Sequence, residues 1–187
     1  MTKLDKLLKD NAGIKLDIGC GRNKQPGFVG LDMFDYPGVD IVQDIEVTPW
    51  PLPDECVLTA VASHVLEHVN PHKGVFINVM NEIWRILKPH GQFAFVVPYA
   101  ESHGMMQDPT HCNFINETTM HYFDPLQPSQ LYQFYQPKPW KIKFQAMNRA
   151  GILEVMLEKR EDLPEYHEYK PTDLVQEVAQ NVEKIRV

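Results

Sequence analysis

The sequence is poor in cysteine, in long apolar runs and in positive charge. Its three cysteines, Cys20, Cys56 and Cys112, are odd in number and widely spaced. They provide neither a disulfide framework nor a C-x-x-C metal knuckle. Because disulfides are typical of oxidising compartments, this pattern predicts a reducing one, and we expect a cytoplasmic protein.

Apolar runs are short throughout the chain. The longest one inside a plausible element, residues 93–97, is far below the roughly 20 residues that a membrane-spanning helix needs. The first ten residues mix Lys and Asp with leucines and lack the apolar centre of a signal peptide. The sequence therefore predicts neither a membrane span nor an export signal.

Negative charge exceeds positive charge. The 25 Asp and Glu residues outnumber the 18 Lys and Arg residues, which gives a formal net charge of -7. This balance disfavours nucleic acid and anionic membranes as partners, because cations must replace the condensed counterions of such polyanions. It leaves open a local contact through the lysines near residue 140. With 187 residues, the chain is long enough for one domain with a full core and no disulfide or metal staple.

Short apolar segments alternate with a helical pattern along the chain. The segments are bounded by Gly, Pro or Asp and are apolar on both faces, which is typical of strands in a buried parallel sheet. From Gly74 onward, apolar residues recur every three or four positions, which predicts an amphipathic helix packed on that sheet. The predicted strands are residues 14–18, 28–33, 39–43, 56–62 and 92–97, and the helix face is Phe76, Val79, Met80, Ile83 and Leu87.

The order of these elements predicts an α/β fold with a Rossmann-like, doubly wound and mostly parallel sheet. Residues 140–147 and 152–159 flank a turn and predict a C-terminal antiparallel hairpin at the sheet edge. Only nine residues separate the first two predicted strands, fewer than the usual dozen of a helical crossover, so we expect a loop there.

We expect a single domain over residues 1–187. A helix at 1–13 precedes the core at 14–160, and a polar tail follows at 161–187, with a short helix near 173–182. Within the core, the His- and Tyr-rich residues 100–139 lack a strong periodic pattern; we call this segment the lid, because long loops of this kind are usually functional.

A glycine turn follows the first strand in Leu16-Asp17-Ile18-Gly19-Cys20-Gly21. It resembles the start of the dinucleotide motif G-x-G-x-x-G, but Lys24 occupies the place of the third glycine. Asp17 would also repel a pyrophosphate charge ~4 Å away by roughly 4 kcal/mol at an effective dielectric of 20. A ligand with a positively charged group near Asp17 fits better, and the turn's amides can still bind a carboxylate. The methionine half of S-adenosylmethionine carries both kinds of group: an ammonium and a sulfonium as cations, and a carboxylate.

Carboxylates also end the second and third strands. Asp32 follows Gly19 by 13 residues, whereas the nicotinamide fingerprint expects about 20. Its two oxygens can accept hydrogen bonds from both hydroxyls of a ribose. Asp44 can accept from an adenine amino group, and Ile45 or Met33 can supply an apolar face for the ring.

These motifs, in this order, resemble the class I S-adenosylmethionine-dependent methyltransferases of the small, core-domain-only type, over residues 14–159. The resemblance implies S-adenosylmethionine as cofactor, S-adenosylhomocysteine as product and methyl transfer by in-line displacement. It implies that the glycine turn binds the methionyl moiety, that Asp32 binds the ribose, and that Ser63 and His64 face the reaction. The matching segments are Leu16 to Gly21, Gly30 to Asp32, Asp44-Ile45, Ser63 to His68 and Glu82 to Gly91. The residues expected to contact the cofactor are Asp17, Gly19, Cys20, Gly21, Asp32, Met33, Asp44, Ile45, Ser63 and His64.

The segment His64-Val65-Leu66-Glu67-His68 also matches the H-x-x-E-H pattern of zinc hydrolases. In that pattern two histidines bind zinc beside a general-base glutamate. The sequence identifies no third ligand, and the segment follows a buried strand where the methyltransferase pattern expects it. We therefore predict no metal, with a zinc hydrolase as an alternative hypothesis.

The lid is expected to form most of the acceptor site. If the acceptor is an oxygen or nitrogen atom that carries a proton, His111 oriented by Asp108 is the predicted catalytic base. Tyr99 or Tyr122 is the candidate to pack against the acceptor. A small-molecule acceptor is favoured, because the sequence contains no separate recognition domain. A non-catalytic sensor that binds S-adenosylmethionine is the alternative. Three further polar residues of the lid lie near this pair in the sequence, namely His103, His121 and Asp124. Together with Asp108 to His111 they are open to three interpretations: a metal-binding cluster, a pair of general-base residues, or polar lid residues without a catalytic role.

Overall fold

The computed structural model describes Leu8 and residues 13–162. The predicted helices at 1–13 and 173–182 therefore lie outside the described residues, apart from Leu8 and Gly13. The described part contains seven strands. They are β1 Ile14–Ile18, β2 Val29–Asp32, β3 Ile41–Val42, β4 Val57–Ser63, β5 Leu87–Pro98, β6 Trp140–Met147 and β7 Ile152–Lys159.

These strands form one sheet in the order β3-β2-β1-β4-β5-β7-β6. The first five are parallel to one another, whereas β7 is antiparallel to both β5 and β6. The predicted α/β fold with a mostly parallel sheet and a C-terminal hairpin is confirmed. The hairpin turn is shaped by Asn148, whose Oδ1 accepts hydrogen bonds from the amides of Ala150 and Ile152.

Three α-helices connect the strands in the described residues: α1 Val75–Ile86, α2 His103–Gln107 and α3 Glu117–His121. Short 3-10 turns lie at Leu66–His68, His72–Gly74 and Leu131–Phe134. The apolar stripe of α1 is buried as predicted. Leu87 departs from the prediction, because it begins β5 rather than ending the helix face. Pro89 follows closely, and a helix cannot continue through a proline without losing a hydrogen bond.

The first crossover is a loop, as its length predicted. Residues 19–28 are all described and contain no helix between β1 and β2. The glycine turn instead packs against the end of β2, where the amides of Gly19 and Cys20 both donate to the carbonyl of Leu31, at 2.8 and 3.2 Å. The turn is therefore positioned by the neighbouring strand.

The lid is more structured than the sequence indicated, because it contains α2, α3 and one 3-10 turn. It is attached to the core by buried apolar residues, among them Met105, Ile115 and Met120. The side-chain amide of Asn113 donates to the carbonyl of Leu66 at 3.0 Å. This contact brings the middle of the lid to the segment that follows β4.

Within residues 13–162, the model contains no helix that is both long enough and apolar enough to span a bilayer.

Candidate functional site

A cleft of about 620 Å³ lies where β1 to β4 end. This is the edge at which open α/β sheets bind their ligands, because the strand ends and the following loops meet there. Several residues predicted to bind the cofactor line it, namely Gly19, Asp32, Met33, Asp44, Ile45 and His64. Val65 and His68, from the H-x-x-E-H segment, also line it. The lining residues that were not predicted from the sequence are Phe34, Tyr36, Gln43, Glu46, Val69 and Thr110.

Asp32 is held rigidly at the end of β2. One carboxylate oxygen, Oδ2, accepts a hydrogen bond from the amide of Gly21 at 2.8 Å, and the other, Oδ1, accepts one from the amide of Phe34 at 2.9 Å. A carboxylate oxygen offers two lone-pair sites, so each oxygen keeps one for a ligand hydroxyl. The carboxylate is thus fixed by the glycine turn while facing the cleft.

Gly19 meets two requirements that only glycine satisfies together. Its φ of +64° lies in the left-handed region, which L side chains rarely adopt. A Cβ at this position would also overlap the Cγ2 of Val65, which lines the same cleft. The turn after β1 can therefore approach the segment after β4 only with glycine at this position.

Asp17 and Ser63 line a different depression, of about 400 Å³. Asp17 accepts a hydrogen bond through Oδ2 from the amide of Gln25 at 2.8 Å, so it stabilises the loop that follows the glycine turn. Burial raises the pKa of Asp17, although the Gln25 amide and the charge of Lys24 oppose the shift. Direct contact of Asp17 and Ser63 with the cofactor stays a prediction. Asp17 can also affect cofactor binding indirectly, because it holds the loop that follows the glycine turn.

Cys20 and Gly21 are also absent from the described cleft lining. Cys20 is buried, and this burial, together with the charges of Asp17 and Asp32, raises the pKa of its thiol to about 11. A neutral thiol at that position packs as a small apolar group. Gly21 contributes its amide to Asp32, so its effect on the cleft is through that carboxylate.

Replacing Asp17 with asparagine is expected to stabilise the fold at neutral pH. The pKa of Asp17 is raised in the folded state, so folding takes up protons and the charged form costs stability as pH rises through that range. The gain should vanish below about pH 3, where the carboxyl is protonated in both states. Thermal unfolding followed by circular dichroism at pH 7 and at about pH 3 measures this, with the exposed Asp35→Asn as the control. An equal gain at both pH values would contradict it.

The wall of the cleft beyond Asp32 is apolar and aromatic. Met33 and Phe34 are both more than half exposed, and the rings of Phe34 and Tyr36 lie 5.6 Å apart. Asp44 shapes the facing loop, since its Oδ1 accepts from the amide of Glu46 at 2.9 Å. Large exposed apolar side chains beside a carboxylate are suited to a flat ring with hydroxyl or amino groups.

The segment after β4 forms another part of the cleft. His64 has a φ of +55°, an uncommon conformation for a residue with a side chain, and its Nδ1 lies 3.1 Å from Oε1 of the buried Glu67. His68 and Thr110 line the same cleft, and the Thr110 hydroxyl lies 2.9 Å from Nδ1 of His68. The lid and the H-x-x-E-H segment therefore meet at the cleft.

The predicted base His111 lies near this meeting point. Its Nδ1 is 3.1 Å from the carbonyl of Met105, and its Nε2 is 3.9 Å from Oδ2 of Asp108. Asp108 has a closer partner in Thr110, whose hydroxyl and amide hydrogen bonds hold the pKa of the carboxyl below its usual range. Orientation of His111 by Asp108 stays a prediction.

The remaining lid candidates have partners elsewhere. Nδ1 of His121 lies 3.3 Å from the Ser129 hydroxyl, and Asp124 pairs with Arg160 at 3.2 Å. Tyr122 lines a separate depression. The hydroxyl of Tyr99 has its pKa raised by a hydrogen bond to Glu117. Neither Tyr99 nor Tyr122, the two candidates to pack against the acceptor, is among the described residues that line the cleft.

Comparison with known proteins agrees with this geometry. A family model described as a methyltransferase domain matches residues 16–95. No curated protein matches the chain. Among solved structures, an S-adenosylmethionine-dependent methyltransferase from Archaeoglobus fulgidus is 18% identical with a TM-score of 0.53, over 97% of this chain and 82% of that one.

Two further solved structures share the architecture. An S-adenosylmethionine-dependent methyltransferase from Mesorhizobium loti is 14% identical with a TM-score of 0.52, over 83% of this chain and 95% of that one. A chain from a Haloferax volcanii complex between the Trm112 methyltransferase activator and a methyltransferase is 12% identical with a TM-score of 0.54, over 84% of this chain and 88% of that one. At these identities the likeness concerns the fold.

Proposed function

We propose that this chain is a class I S-adenosylmethionine-dependent methyltransferase that transfers the cofactor's methyl group to a small-molecule acceptor, as the methyltransferase-domain match over residues 16–95 supports. The observation that carries the proposal is the placement of Asp32, which ends β2, faces the cleft and keeps lone pairs on both oxygens. Gly19 borders the same cleft, where the absence of a Cβ lets the turn pack against Val65 of the segment after β4. These residues fit a nucleoside with an attached amino acid.

Each part of the cofactor has a matching set of residues. Asp32 accepts from the ribose hydroxyls. Met33, Phe34 and Ile45 enclose the adenine, with Asp44 accepting from its amino group. Gly19 contacts the methionyl moiety at the cleft. The amides of Gly19 and Cys20 already donate to Leu31 and that of Gly21 to Asp32, so Cys20 and Gly21 act by shaping the turn. The arrangement is supported by the order of Gly19, Asp32 and Asp44 along the cleft edge, where they lie at or after the ends of β1, β2 and β3 in turn.

The chemistry requires alignment more than acid–base catalysis. The cofactor supplies a sulfonium-bound methyl group; its S–CH₃ bond breaks with the electron pair left on sulfur while the acceptor lone pair forms the new bond to carbon. The chain's own residues orient the reactants in line, which by itself accounts for a large share of rate enhancement in such reactions. If the acceptor atom carries a proton, His111 with Asp108 is proposed to receive it.

A small acceptor is supported by the architecture of the described residues and by the net charge. The lid closes over residues of the core, and within residues 13–162 no separate recognition domain is present. The net charge of -7 disfavours long nucleic acids. The three cysteines are free, which is consistent with the cytoplasmic location that we propose.

The test is methyl transfer from labelled S-adenosylmethionine into a fractionated lysate. We expect label in the low-mass fraction, dependent on Asp32. Label that appears only in protein or RNA would overturn the small acceptor. Binding of S-adenosylhomocysteine without any Asp32-dependent incorporation would overturn catalysis and favour the sensor, an alternative suggested by the reduced first crossover.

A further inference from the structure

The H-x-x-E-H segment has a third potential ligand that only the fold reveals. Glu67, His68 and His111 each present one ligand atom, and these atoms all lie within 4.8 Å of one another. We infer that these three side chains bind a divalent transition-metal ion beside the cleft. His64 is outside this group, so the arrangement differs from the zinc-hydrolase pattern, in which the glutamate is a base.

Glu67 gives the first independent reason for an ion. Its side chain is 0% exposed, and its Oε2 has no hydrogen-bond partner among the described residues. The other oxygen, Oε1, is 3.1 Å from Nδ1 of His64. A buried carboxylate oxygen without a partner is costly, and buried charges are normally paired or bound to a metal. An ion at Oε2 would provide the missing partner.

Both histidines are oriented as metal ligands usually are. Nδ1 of His111 lies 3.1 Å from the carbonyl of Met105, which can only accept, so this nitrogen carries the proton. The Thr110 hydroxyl donates to Asp108 at 2.6 Å, so its oxygen accepts from Nδ1 of His68 at 2.9 Å. Each ring therefore keeps its Nε2 lone pair free. Fixing the tautomer through the second nitrogen is typical of metal-binding histidines.

Backbone hydrogen bonds hold the two halves of the site together. The carbonyl of Glu67 accepts from the amides of Cys112 and Asn113 at 2.9 and 3.0 Å. The thiol of Cys112 donates to the carbonyl of His68, a residue 44 positions earlier, at 3.3 Å. Because these contacts fix the lid to the 3-10 turn, the three ligands are brought together before an ion binds.

The ligand set indicates the class of ion. Two imidazoles with one carboxylate suit Zn²⁺, Mn²⁺ or Fe²⁺ better than Mg²⁺ or Ca²⁺, which prefer oxygen ligands alone. Metal–ligand bonds of about 2.0–2.2 Å place tetrahedral ligand atoms about 3.4 Å apart. The ligand atoms, which lie within 4.8 Å of one another, must therefore approach by about 1.4 Å at most. Three protein ligands leave at least one open position, and His68 borders the cleft.

This site would also select the acceptor, an extension that rests on the proposed function. An oxygen acceptor such as a hydroxyl could occupy the open position and lose its proton to solvent, since a bound divalent ion favours the ionised form. The ionised oxygen would then form its bond to the methyl carbon as the S–CH₃ bond breaks. In that case His111 serves as a ligand, and the ion replaces it as the group that promotes deprotonation.

The test measures metal binding by the full chain after removal of metal with a chelator. We expect about one Zn²⁺ or Mn²⁺ per chain by elemental analysis after dialysis, and a visible absorption band with Co²⁺. His111→Ala and Glu67→Gln should weaken binding at least tenfold. His103→Ala alters an exposed histidine of the same lid and should bind as the wild type does.

Thr110→Val provides a readout that does not remove a ligand. It deletes the hydroxyl that orients His68 and should weaken metal binding by about 10- to 100-fold, as loss of such supporting groups commonly does. Retention of wild-type affinity by both His111→Ala and Thr110→Val would overturn the site, as would equal weakening in His103→Ala. Binding of S-adenosylhomocysteine to the metal-free chain is measured separately, so failure of the metal site and failure of the proposed function are distinguishable.

Discussion

Replacing Asp32 with alanine is expected to weaken S-adenosylhomocysteine binding by about a hundredfold or more, or about 3 kcal/mol. The carboxylate is proposed to accept two ribose hydrogen bonds, and hydrogen bonds to charged groups contribute roughly 1.5–3 kcal/mol each. Its removal also frees the amides of Gly21 and Phe34, which it now fixes. The position of the glycine turn should therefore loosen as well.

Calorimetric titration with S-adenosylhomocysteine measures the loss. Asp35→Ala is the matched control, because Asp35 is an exposed carboxylate three residues further on and is outside the described lining of the cleft. It should keep affinity within about twofold. Asp32→Asn should lie between the two, since an amide oxygen still accepts one hydrogen bond. Wild-type affinity in Asp32→Ala, or equal losses in both alanine variants, would refute the assignment.

The fold was largely predictable because its signals are local. Each strand is a short apolar run between turn residues, and α1 has a clear helical period. The absence of a helix after β1 followed from the number of residues available. The end of α1 was misplaced because the apolar stripe continues to Leu87, which belongs to β5. Periodicity alone does not reveal where the backbone changes conformation.

The cofactor side of the site was predictable to the extent that it follows strand ends. Asp32 and Asp44 line the cleft because parallel strands bring their carboxyl ends to one edge. Asp17 does not, because it precedes the last residue of β1, whereas Asp32 is the last residue of β2; Asp17 lines a separate depression. The aromatic wall of Phe34 and Tyr36 was detectable as two large rings directly after Asp32.

The acceptor side depends on contacts that no local pattern contains. His111 reaches Glu67 because the amides of Cys112 and Asn113 pair with the carbonyl of Glu67. A sequence pattern shows His64, Glu67 and His68 within one turn, but it does not show that a lid more than forty residues away returns to the same place. Asp124 is a second example from the lid. From the sequence it was a candidate polar lid residue, whereas in the structure it pairs with Arg160, more than thirty residues away in the chain.

Replacing Asp124 with alanine is expected to lower the free energy of unfolding by about 3–5 kcal/mol, the usual cost of removing one partner from a buried ion pair. Asp124 and Arg160 are both buried. Oδ1 of Asp124 is 3.2 Å from Nη2 of Arg160, and its Oδ2 accepts from the amide of Ile142 at 3.0 Å. Without the carboxylate, the guanidinium retains from the described residues a 3.2 Å hydrogen bond from Nε to the carbonyl of Trp140 and one distant charge.

That distant charge, Asp162, makes the comparison decisive. Its side chain is 88% exposed, and its Oδ1 lies 3.9 Å from Nη1 of the same arginine. Asp162→Ala therefore deletes an equal charge that is solvated in the folded state, and it should lower the free energy of unfolding by less than about 1 kcal/mol. Urea unfolding at unchanged slope measures both variants. Asp124 and Arg160 are absent from the described lining of the cleft. Under conditions in which Asp124→Ala is folded, its affinity for S-adenosylhomocysteine should therefore be within about twofold of the wild-type affinity. Similar losses of stability in the two variants would mean that burial of the pair contributes nothing, and a parallel loss of binding would mean that the ion pair fixes the cleft as well as the lid.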